Sequence, residues 1–525
     1  MQPPKLERVN PARLEAARSE IAELLKAHVE WFFTLDGNTE ALNRSELDIA
    51  IAHQRLILTS WAELGIRQGS RAWKIFAWGW TSGKLTLQCS RRMGAERLLI
   101  ELVPRASATS IALTVKTARQ KRCDQLARAV CSLQPGATVE RARLSPGARR
   151  GQPGRYARII LRQKHQRIAV TGCIASSRAS DADAFLSAAL LWFTRAGERT
   201  RAPYIQQLWL VVENPVLKPM LQRIALLRES LGQTIAVYED VEEDVGEAVE
   251  PVARLQKAEA LTRKELWKRR TARFPPIPLN IPSEITNTIV GGAPEAIDTV
   301  SARHGQTLRY FGLPFARVRQ LLGVERLWFG VEGSRRRMLD ETTEAEWQSL
   351  FSSLVQHRSA GASDHYHALY RNAGEAWLES LLRRDITRLD PGLIIAPVHA
   401  QFRTARGGVT GVRPVDLLAL RHDGRLVVIE LKVSEAREHV LQGVDYWQRV
   451  EAHRRRGHIS RAKLFGDRKI KDEPPLIYLV APTLRVHPSF TTLARTIAAD
   501  IEIYRFDIND DWRAGVRVMR RIRVN

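Results

Sequence analysis

Residues 413–433 read RPVDLLALRHDGRLVVIELKV, and this stretch decides the fold of the C-terminal part of the chain. Two apolar runs flank the His-Asp-Gly sequence at 422–424, a pattern that predicts a β-hairpin. Asp416 stands at the start of the first run, and Glu430 and Lys432 stand near the end of the second. Residues two apart share one face of a strand. Ionisable groups on an apolar hairpin are costly to bury unless they have partners or a function.

The length of the hairpin loop decides where Asp416 points. A two-residue Asp-Gly turn would place Leu417 opposite Glu430 and would turn Asp416 to the other face. A three-residue loop at 422–424, with its glycine in a left-handed bulge, places Asp416 directly opposite Glu430. We expect the three-residue loop or a bulge with the same effect. Two facing carboxylates repel, and Mg²⁺ suits such hard oxygen ligands. Beside that metal, Lys432 would orient or deprotonate a water and stabilise charge on a phosphate.

The set Asp416…Glu430-Leu431-Lys432 resembles the active site of the PD-(D/E)XK, or restriction-endonuclease-like, nuclease superfamily. The proline is displaced, since residues 413–416 read Arg-Pro-Val-Asp where the family has Pro-Asp. The resemblance implies an αβββαβ core and a Mg²⁺ or Mn²⁺ cofactor held by Asp416, Glu430 and the Leu431 carbonyl. It also implies DNA as the partner, an endonuclease in preference to an exonuclease, and a homodimer.

The predicted helix before the hairpin, within YRNAGEAWLESLLRRDI at 370–386, carries two glutamates one turn apart. The superfamily often places a glutamate on this helix to complete the metal site through water. By its position after Gly374, Glu375 is the preferred residue over Glu379. A solvated helix carboxylate is the alternative interpretation of Glu375.

The predicted helix after the hairpin, SEAREHVLQGVDYWQRVEAHRRR at 434–456, supplies further candidates. Some similar nucleases carry a glutamine followed by a tyrosine here, and Gln442 and Tyr446 match that Q-x-x-x-Y arrangement. They would hold Lys432 or the scissile phosphate, unless this face of the helix is simply solvated. Basic residues of the same helix are predicted to contact the nucleic-acid backbone: Arg449, Arg454 and Arg455.

A second stretch, YARIILRQKHQRIAVTGCI at 156–174, aligns without a gap on residues 415–433. The predicted elements after each stretch follow in the same order: a helix, a strand, a helix and a strand. We interpret this as an internal repeat of a ββαβαβ unit, although two α/β segments with mostly apolar patterns also align by chance. In the first copy, the three chemical positions hold residues with neither a carboxylate nor an amine: Ala157, Thr171 and Cys173.

The predicted fold class is mixed α/β. The 525-residue chain is long enough for several domains. We expect residues 1 to about 65 to be helical, because their apolar residues recur at helical spacing. Four regions are predicted: an N-terminal α+β domain at 1–148, a degenerate nuclease-like α/β domain at 149–245, a linker and basic middle region at 246–360, and a nuclease-like domain at 361–525.

The net charge of +24 favours phosphate-rich partners and salt-sensitive binding. An arginine-rich composition without a special partner also produces such a charge. No run is long enough to cross a bilayer, and four scattered cysteines form neither a zinc site nor a disulfide framework. These features predict a cytoplasmic protein that does not associate with membranes.

The sequence therefore predicts a metal-dependent nuclease that acts on DNA. Two alternatives stay open. The first is a nucleic-acid-binding or scaffold protein that has the nuclease-like fold but does not cut. The second is an RNA-acting or defence-associated nuclease of the same fold.

Overall fold

The protein is a mixed α/β molecule, and its computed structural model divides into two compact units, Met1–Ser177 with Asp240–Leu255 and Arg178–Glu239 with Gln256–Asn525. None of the described helices is long and apolar enough to span a membrane. The structure describes these residues: 6–35, 38–52, 54–60, 71–81, 83–91, 96–104, 108–147, 153–175, 178–199, 204–241, 254–269, 283–302, 305–321, 324–331, 336–404 and 413–525.

The α-helices have the following bounds: α1 (Leu14–Lys26), α2 (Ala108–Ser132), α3 (Ala182–Arg199), α4 (Asn214–Ile224), α5 (Glu229–Gly232), α6 (Arg263–Lys268), α7 (Glu284–Gly292), α8 (Glu344–His357), α9 (Ala368–Arg371), α10 (Gly374–Arg384), α11 (His439–Arg455), α12 (His458–Arg461) and α13 (Phe490–Ala494). The strands of the first part of the chain are: β1 (Glu7–Arg8), β2 (Glu30–Leu35), β3 (Asn38–Asn43), β4 (Leu47–Ala52), β5 (Arg55–Ser60), β6 (Arg71–Thr81), β7 (Lys84–Arg91), β8 (Glu96–Pro104), β9 (Thr138–Pro146), β10 (Pro153–Gln163), β11 (Gln166–Cys173), β12 (Ile205–Val212) and β13 (Ile235–Val241). The remaining strands are: β14 (Arg254–Lys257), β15 (Ile297–Ala302), β16 (Gly305–Tyr310), β17 (Leu313–Leu321), β18 (Val324–Phe329), β19 (Arg337–Met338), β20 (His399–Phe402), β21 (Val415–Leu420), β22 (Leu426–Leu431), β23 (Leu476–Pro482), β24 (Ile503–Ile508) and β25 (Val518–Arg523).

The first unit begins with a large antiparallel sheet in the order β3-β2-β8-β7-β6-β5-β4, and β1 pairs with β6. The prediction of helix for residues 1 to about 65 is right for α1 and wrong for the strands β2 to β5, while residues 61–65 lie outside the described residues. Trp31, Phe33 and Leu35 are buried while the residues between them are partly exposed, which is the two-residue period of a strand. Helical spacing at the start of the chain therefore does not extend beyond α1.

Strands β9, β10 and β11 of the first unit form an antiparallel three-stranded set. The β10–β11 hairpin turns through two residues, because Gln163 pairs with Gln166. In this register Thr171 lies opposite Arg158 and not opposite Ala157. The gap-free alignment with residues 415–433 is therefore wrong by one residue on one of the two strands.

The C-terminal sheet of the second unit has the order β20-β21-β22-β23-β24-β25. Strands β22, β23 and β24 run parallel, and the outer pairings are antiparallel. Helix α10 packs on one face, where Trp377 contributes to a core with Leu417 and Ile429. Helix α11 packs on the other face, where Tyr446 joins a core with Leu418. Both faces of the sheet are covered, which explains why β22 is apolar at every position except its glutamate.

Within the predicted middle region, β15–β19 form a five-stranded antiparallel sheet in chain order. Arg358, fully buried, joins this sheet to the start of α10. Its guanidinium donates to backbone carbonyls of both parts: Tyr310, Phe311, Leu369, Asn372 and Ala373. The turn after β16 approaches α10 so closely that a Cβ on Gly312 would lie 1.9 Å from the Ala376 carbonyl oxygen.

Candidate active site

The β21–β22 hairpin has the predicted three-residue loop. Leu420 pairs with Leu426, and the Arg421 N–H donates to the Arg425 carbonyl at 2.9 Å, which leaves three residues in the loop. Gly424 has φ +85°, as expected for a bulge glycine. A Cβ at this position would also lie 2.7 Å from the Lys469 carbonyl oxygen, so glycine is required for two reasons.

This register places the two predicted carboxylates opposite each other. Leu417 pairs with Ile429, so the next residue on each strand, Asp416 and Glu430, face across the hairpin. Asp416 Oδ2 accepts a hydrogen bond from the Leu431 N–H at 3.0 Å, which fixes its carboxylate at the end of β22. The predicted position of Asp416 is confirmed by this geometry.

Lys432 joins the two glutamates of the site. Its Nζ lies 2.6 Å from Glu430 Oε1, 3.6 Å from Glu375 Oε1 and 3.3 Å from the Leu431 carbonyl oxygen. Glu430 is fully buried, whereas 41% of the Glu375 side chain is exposed. Strand β22 and helix α10 thus bring two carboxylates to one ammonium group.

Burial sets the electrostatics of this cluster. Desolvation raises the pKa of Glu430 well above its ordinary value of 4.5, and the charge of Asp416 raises it further. Desolvation also raises the pKa of Glu375, against the opposing influence of Lys432. For Lys432, burial would lower the pKa, but the surrounding carboxylates outweigh it and hold the pKa above its ordinary value. Lys432 is therefore an ammonium at neutral pH.

Glu430 has one carboxylate oxygen, Oε2, that is buried and has no hydrogen-bond partner. Burying a carboxylate oxygen without a partner is costly, and a second carboxylate nearby adds repulsion. A hard cation bound to both carboxylates would offset both costs. Among the residues that the structure describes, however, no three or more His, Cys, Asp or Glu side chains are already grouped for a metal ion. The donors fit Mg²⁺ or Mn²⁺ in chemistry, while Lys432 now contacts Glu430 and the Leu431 carbonyl.

Gln442 and Tyr446 lie together on α11, since Gln442 Nε2 donates to the Tyr446 hydroxyl at 2.9 Å. Both side chains are buried, and Gln442 Oε1 has no partner. Burial raises the pKa of Tyr446, and the charges of Glu430 and Asp416 raise it further, so the phenol stays protonated. Helix α11 therefore presents an amide and a hydroxyl on the side of the carboxylates.

The basic residues predicted on α11 lie in different surroundings. Arg449 contacts the Asp445 carboxylate at 2.8 Å and lies 4.8 Å from the centre of the Tyr446 ring. Arg454 has only 9% of its side chain exposed and pairs with Glu451 at 2.6 Å, so its charge is already engaged. Arg455 pairs with Glu451 as well but keeps 44% of its side chain exposed. Of the three, Arg455 is best placed to meet a nucleic-acid backbone.

His439, the first residue of α11, belongs to the site although its sequence position alone did not predict it. Its Nε2 lies 3.3 Å from the Glu430 carbonyl oxygen, and burial together with the charge of Lys432 lowers its pKa to about 3. His439 is therefore neutral at physiological pH, and its ring N–H is available to the Glu430 carbonyl. The only signal in the sequence was a histidine in a helix that directly follows the E-x-K strand.

Glu379, the alternative to Glu375, is held by other partners. It accepts hydrogen bonds from Arg309 at 3.0 Å and from Gln401 at 2.6 Å. Arg309 comes from the middle sheet, so its arrival on α10 could not be inferred from local sequence. The structure thus brings Glu375, and not Glu379, into contact with Lys432.

Comparison with known proteins gives no relative. No family model, no curated protein and no solved structure matches this chain. Cavities of about 460 and 170 Å³ are lined by other residues, among them Arg383 and Lys463, so cavity size does not mark the site. The carboxylates and the lysine of the β21–β22 hairpin and α10 are the groups on which a function can be inferred.

Proposed function

We propose that the protein is a metal-dependent nuclease of the PD-(D/E)XK type that hydrolyses phosphodiester bonds of DNA. The observation that carries the proposal is the register that sets Asp416 opposite Glu430, with Lys432 Nζ 2.6 Å from Glu430 Oε1. The order α10, β20, β21, β22, α11, β23 agrees with the αβββαβ core of that superfamily. A net charge of +24 favours binding to a polyanion.

Asp416, Glu430 and the Leu431 carbonyl are the groups that would hold Mg²⁺ or Mn²⁺. When bound, such an ion supplies positive charge at the scissile phosphate and lowers the pKa of a coordinated water. The unpartnered Oε2 of Glu430 supports this assignment. Asp416 is held in place at the end of β22 by the Leu431 N–H.

The lysine contributes charge and position to the reaction. Because its pKa is raised, Lys432 acts as an ammonium donor and not as the base that deprotonates water. It would stabilise the negative charge that grows on the phosphate oxygens during attack. Of the two roles that the sequence leaves open for Lys432, the electrostatic one is favoured.

Glu375 is the carboxylate best suited to accept a proton. Its side chain is 41% exposed and its pKa is raised by desolvation, which brings it closer to neutral pH than an ordinary glutamate. In the proposed hydrolysis the water oxygen bonds to phosphorus, Glu375 takes the proton, and the P–O bond to the leaving sugar oxygen breaks. The leaving oxygen is then protonated, so that one water has been added across one phosphodiester bond.

The Gln442–Tyr446 pair would donate hydrogen bonds to the phosphate or orient Lys432.

A substrate screen tests the proposal. The purified protein is incubated with supercoiled, linear, single-stranded and branched DNA and with RNA, in Mg²⁺, in Mn²⁺ and in EDTA. Cutting of DNA that requires the metal and is lost in Asp416→Ala is the expected result. Cutting of RNA alone would show that the enzyme acts on RNA and not on DNA. Cutting of no substrate in either metal would refute the proposed nuclease function.

One observation favours a second function, nucleic-acid binding without cutting. The Lys432 ammonium already contacts Glu430 Oε1 and the Leu431 carbonyl oxygen, so two groups that would hold a metal have a partner. Titration calorimetry with Mg²⁺ and Mn²⁺ separates the two functions. Heat of binding that disappears in Asp416→Ala is expected of the nuclease, and its absence in the wild-type protein favours the binding protein.

A further inference from the structure

Two segments of the second unit make the same turn after corresponding helices. One follows α4 and the other follows α13, and each helix comes after a strand of a parallel pair, β12–β13 and β23–β24. In each turn, two successive N–H groups donate to carbonyls three residues earlier, at 3.0–3.1 Å: Leu226 to Arg223, Leu227 to Ile224, Thr496 to Leu493 and Ile497 to Ala494. The backbone therefore assigns Leu226 to Thr496 and Leu227 to Ile497 as equivalent residues.

These equivalent turns bind each other. Leu227 and Ile497 form an antiparallel β-bridge. The Arg228 N–H donates to the Thr496 carbonyl at 2.8 Å, and the Ala498 N–H donates to the Leu226 carbonyl at 3.0 Å. Exchanging the two turns converts one hydrogen bond into the other, which is the signature of a local two-fold axis through the bridge.

The helices around the bridge are related by the same local two-fold axis. Helix α3 corresponds to α11, and α4 corresponds to α13, by their order after the two hairpins. Helix α3 contacts α13, α4 contacts α11, and α3 also contacts α11. A self-contact and two reciprocal contacts are what an isologous dimer interface shows, here formed within one chain.

A buried ion cluster strengthens this contact. Arg223 pairs with Asp183 at 2.7 Å and with Asp445 of α11 at 2.6 Å. Its guanidinium also lies 3.3 Å from Gln448 Oε1. Removing one member of a buried, hydrogen-bonded pair is strongly destabilising, because an uncompensated charge is left behind. Residues 178–239 and α11 therefore share buried charges, and each segment compensates charge on the other.

We propose that residues 178–239 occupy the place that a second copy of the chain would take in a two-fold dimer. The protein then works as a monomer with a single active site, and it cuts one strand of duplex DNA at each encounter. This inference depends on the proposed nuclease function for the cutting, but its docking part does not. The product is a nick, in which one phosphodiester bond is hydrolysed and the opposite strand keeps all of its bonds.

Of the two hairpins β10–β11 and β21–β22, only β21–β22 carries the residues of an active site. Three residues of the β10–β11 hairpin, which precedes α3 in the chain, correspond in order to the chemical positions of β21–β22, and none is an acid or an amine: Ala157, Thr171 and Cys173. Arg158, the residue opposite Thr171, cannot replace a carboxylate as a metal ligand. Two strands of a duplex therefore cannot be cut together by one chain.

The first experiment measures mass and product. The wild-type protein is analysed by sedimentation at micromolar concentration and is then mixed with supercoiled plasmid and Mn²⁺, with Asp416→Ala as the control. We expect the mass of one 525-residue chain and nearly complete conversion to open circles before linear plasmid appears. A species of twice the mass, or linear plasmid formed without an open-circle intermediate, would overturn the proposal.

The second experiment traps the docked state without using activity. Leu227→Cys and Ile497→Cys are combined and oxidised with glutathione disulfide, which is reduced as the new S–S bond forms. The two residues form a bridge flanked by hydrogen bonds, where Cα atoms lie about 4.5 Å apart, so the geometry suits a disulfide. We expect one intrachain cross-link in the double variant, seen as faster migration on a non-reducing gel, and none in either single variant.

The two experiments fail in different ways. A cross-link between chains, or none in a folded double variant, overturns the docking. Monomeric, cross-linked protein that cuts no substrate overturns the proposed nuclease function and with it the nicking, while the docking of residues 178–239 stands.

Discussion

The hairpins β10–β11 and β21–β22 have sequences that align without a gap, yet they differ in register by one residue. The upstream hairpin turns through Lys164 and His165, so Arg158 faces Thr171. The downstream hairpin turns through three residues, so Asp416 and Glu430 face each other. A one-residue change of register moves every side chain of a strand to the opposite face relative to its partner strand.

The length of the hairpin loop is as important for the site as the Asp…Glu-x-Lys motif itself. An Asp and a Glu at this spacing face each other only if the turn holds three residues. Gly424 allows this because it adopts φ +85° beneath the Lys469 carbonyl, where no other residue fits. In the upstream hairpin Lys164 takes the left-handed conformation, at φ 48°, in a shorter turn. The site therefore depends on a glycine that carries no chemistry.

The largest effect that separates the two hairpins is expected from their chemical residues. Asp416→Ala or Lys432→Ala should lower the cutting rate by about 10³-fold or more, because Asp416 would hold the metal and Lys432 would stabilise the charge that grows on the phosphate. DNA affinity, measured by fluorescence anisotropy, should change by less than about threefold, since backbone contacts dominate binding. Thr171→Ala in the upstream hairpin is the matched control and should cut at the wild-type rate. A Thr171→Ala protein as inactive as Asp416→Ala would mean that both hairpins serve the reaction.

A second difference concerns the helix that follows each hairpin, since α11 begins with His439 and α3 begins with Ala182. The pKa of His439 is lowered from 6.5 to about 3 in the folded protein, so the unfolded chain binds its proton first as the pH falls. Stability should therefore be lost as the pH falls below 6.5, by about 2 kcal/mol between about pH 6.5 and 5. Urea unfolding of the wild-type protein and of His439→Gln across this range measures the difference. Identical slopes in the two proteins would contradict the neutral histidine.

The loop glycine gives a smaller effect on stability. Gly424→Ala should destabilise the second unit by about 2–3 kcal/mol, because it adds a left-handed alanine and a contact with the Lys469 carbonyl. Gly136→Ala is the control, since Gly136 has φ +76° with nothing within 4 Å of the added Cβ, and about 1 kcal/mol is expected. Urea unfolding followed by tryptophan fluorescence measures both. Equal losses would show that the close approach to Lys469 has no energetic consequence.

The smallest effect is expected from the turn of the upstream hairpin. Lys164→Gly should stabilise the first unit by about 0.5–1 kcal/mol, because glycine adopts a positive φ without the steric cost that lysine has there. The midpoint of urea unfolding is the measurement, with cutting activity unchanged. A loss of stability would place Lys164 in contacts that outweigh its backbone strain.

Much of the site was readable from the sequence because its determinants are local. The turn residues predicted the register, and the two apolar runs predicted β21 and β22, since both signals lie within residues 413–433. The residues that the sequence could not place depend on distant partners. Arg454 was predicted to contact a phosphate, but it forms ion pairs with Asp472 and Glu451. Arg309 reaches Glu379 from another sheet.

The fold was less predictable where two periodicities compete. Residues 30–60 contain many apolar residues, and helical spacing at Leu14 to Val29 suggested that the helix continued. Burial of every second residue from Trp31 to Leu35 instead reflects pairing with β8, a strand far along the chain. Such long-range pairing overrides local spacing. The two-fold bridge between Leu227 and Ile497 was equally invisible, because it joins two turns and not two strands.

Arg358 limits how far the second unit can be shortened for expression. Residues 361–525 contain every chemical group of the site, yet a fragment beginning there lacks the guanidinium that satisfies carbonyls at Leu369, Asn372 and Ala373. It would also expose the part of α10 that Gly312 covers, directly beside Glu375. A fragment for expression should therefore retain the sheet from Ile297 onward as well as residues 178–239, whose Arg223 pairs with Asp445 of α11. If a shorter fragment aggregates, the cause is its boundary and not its catalytic residues.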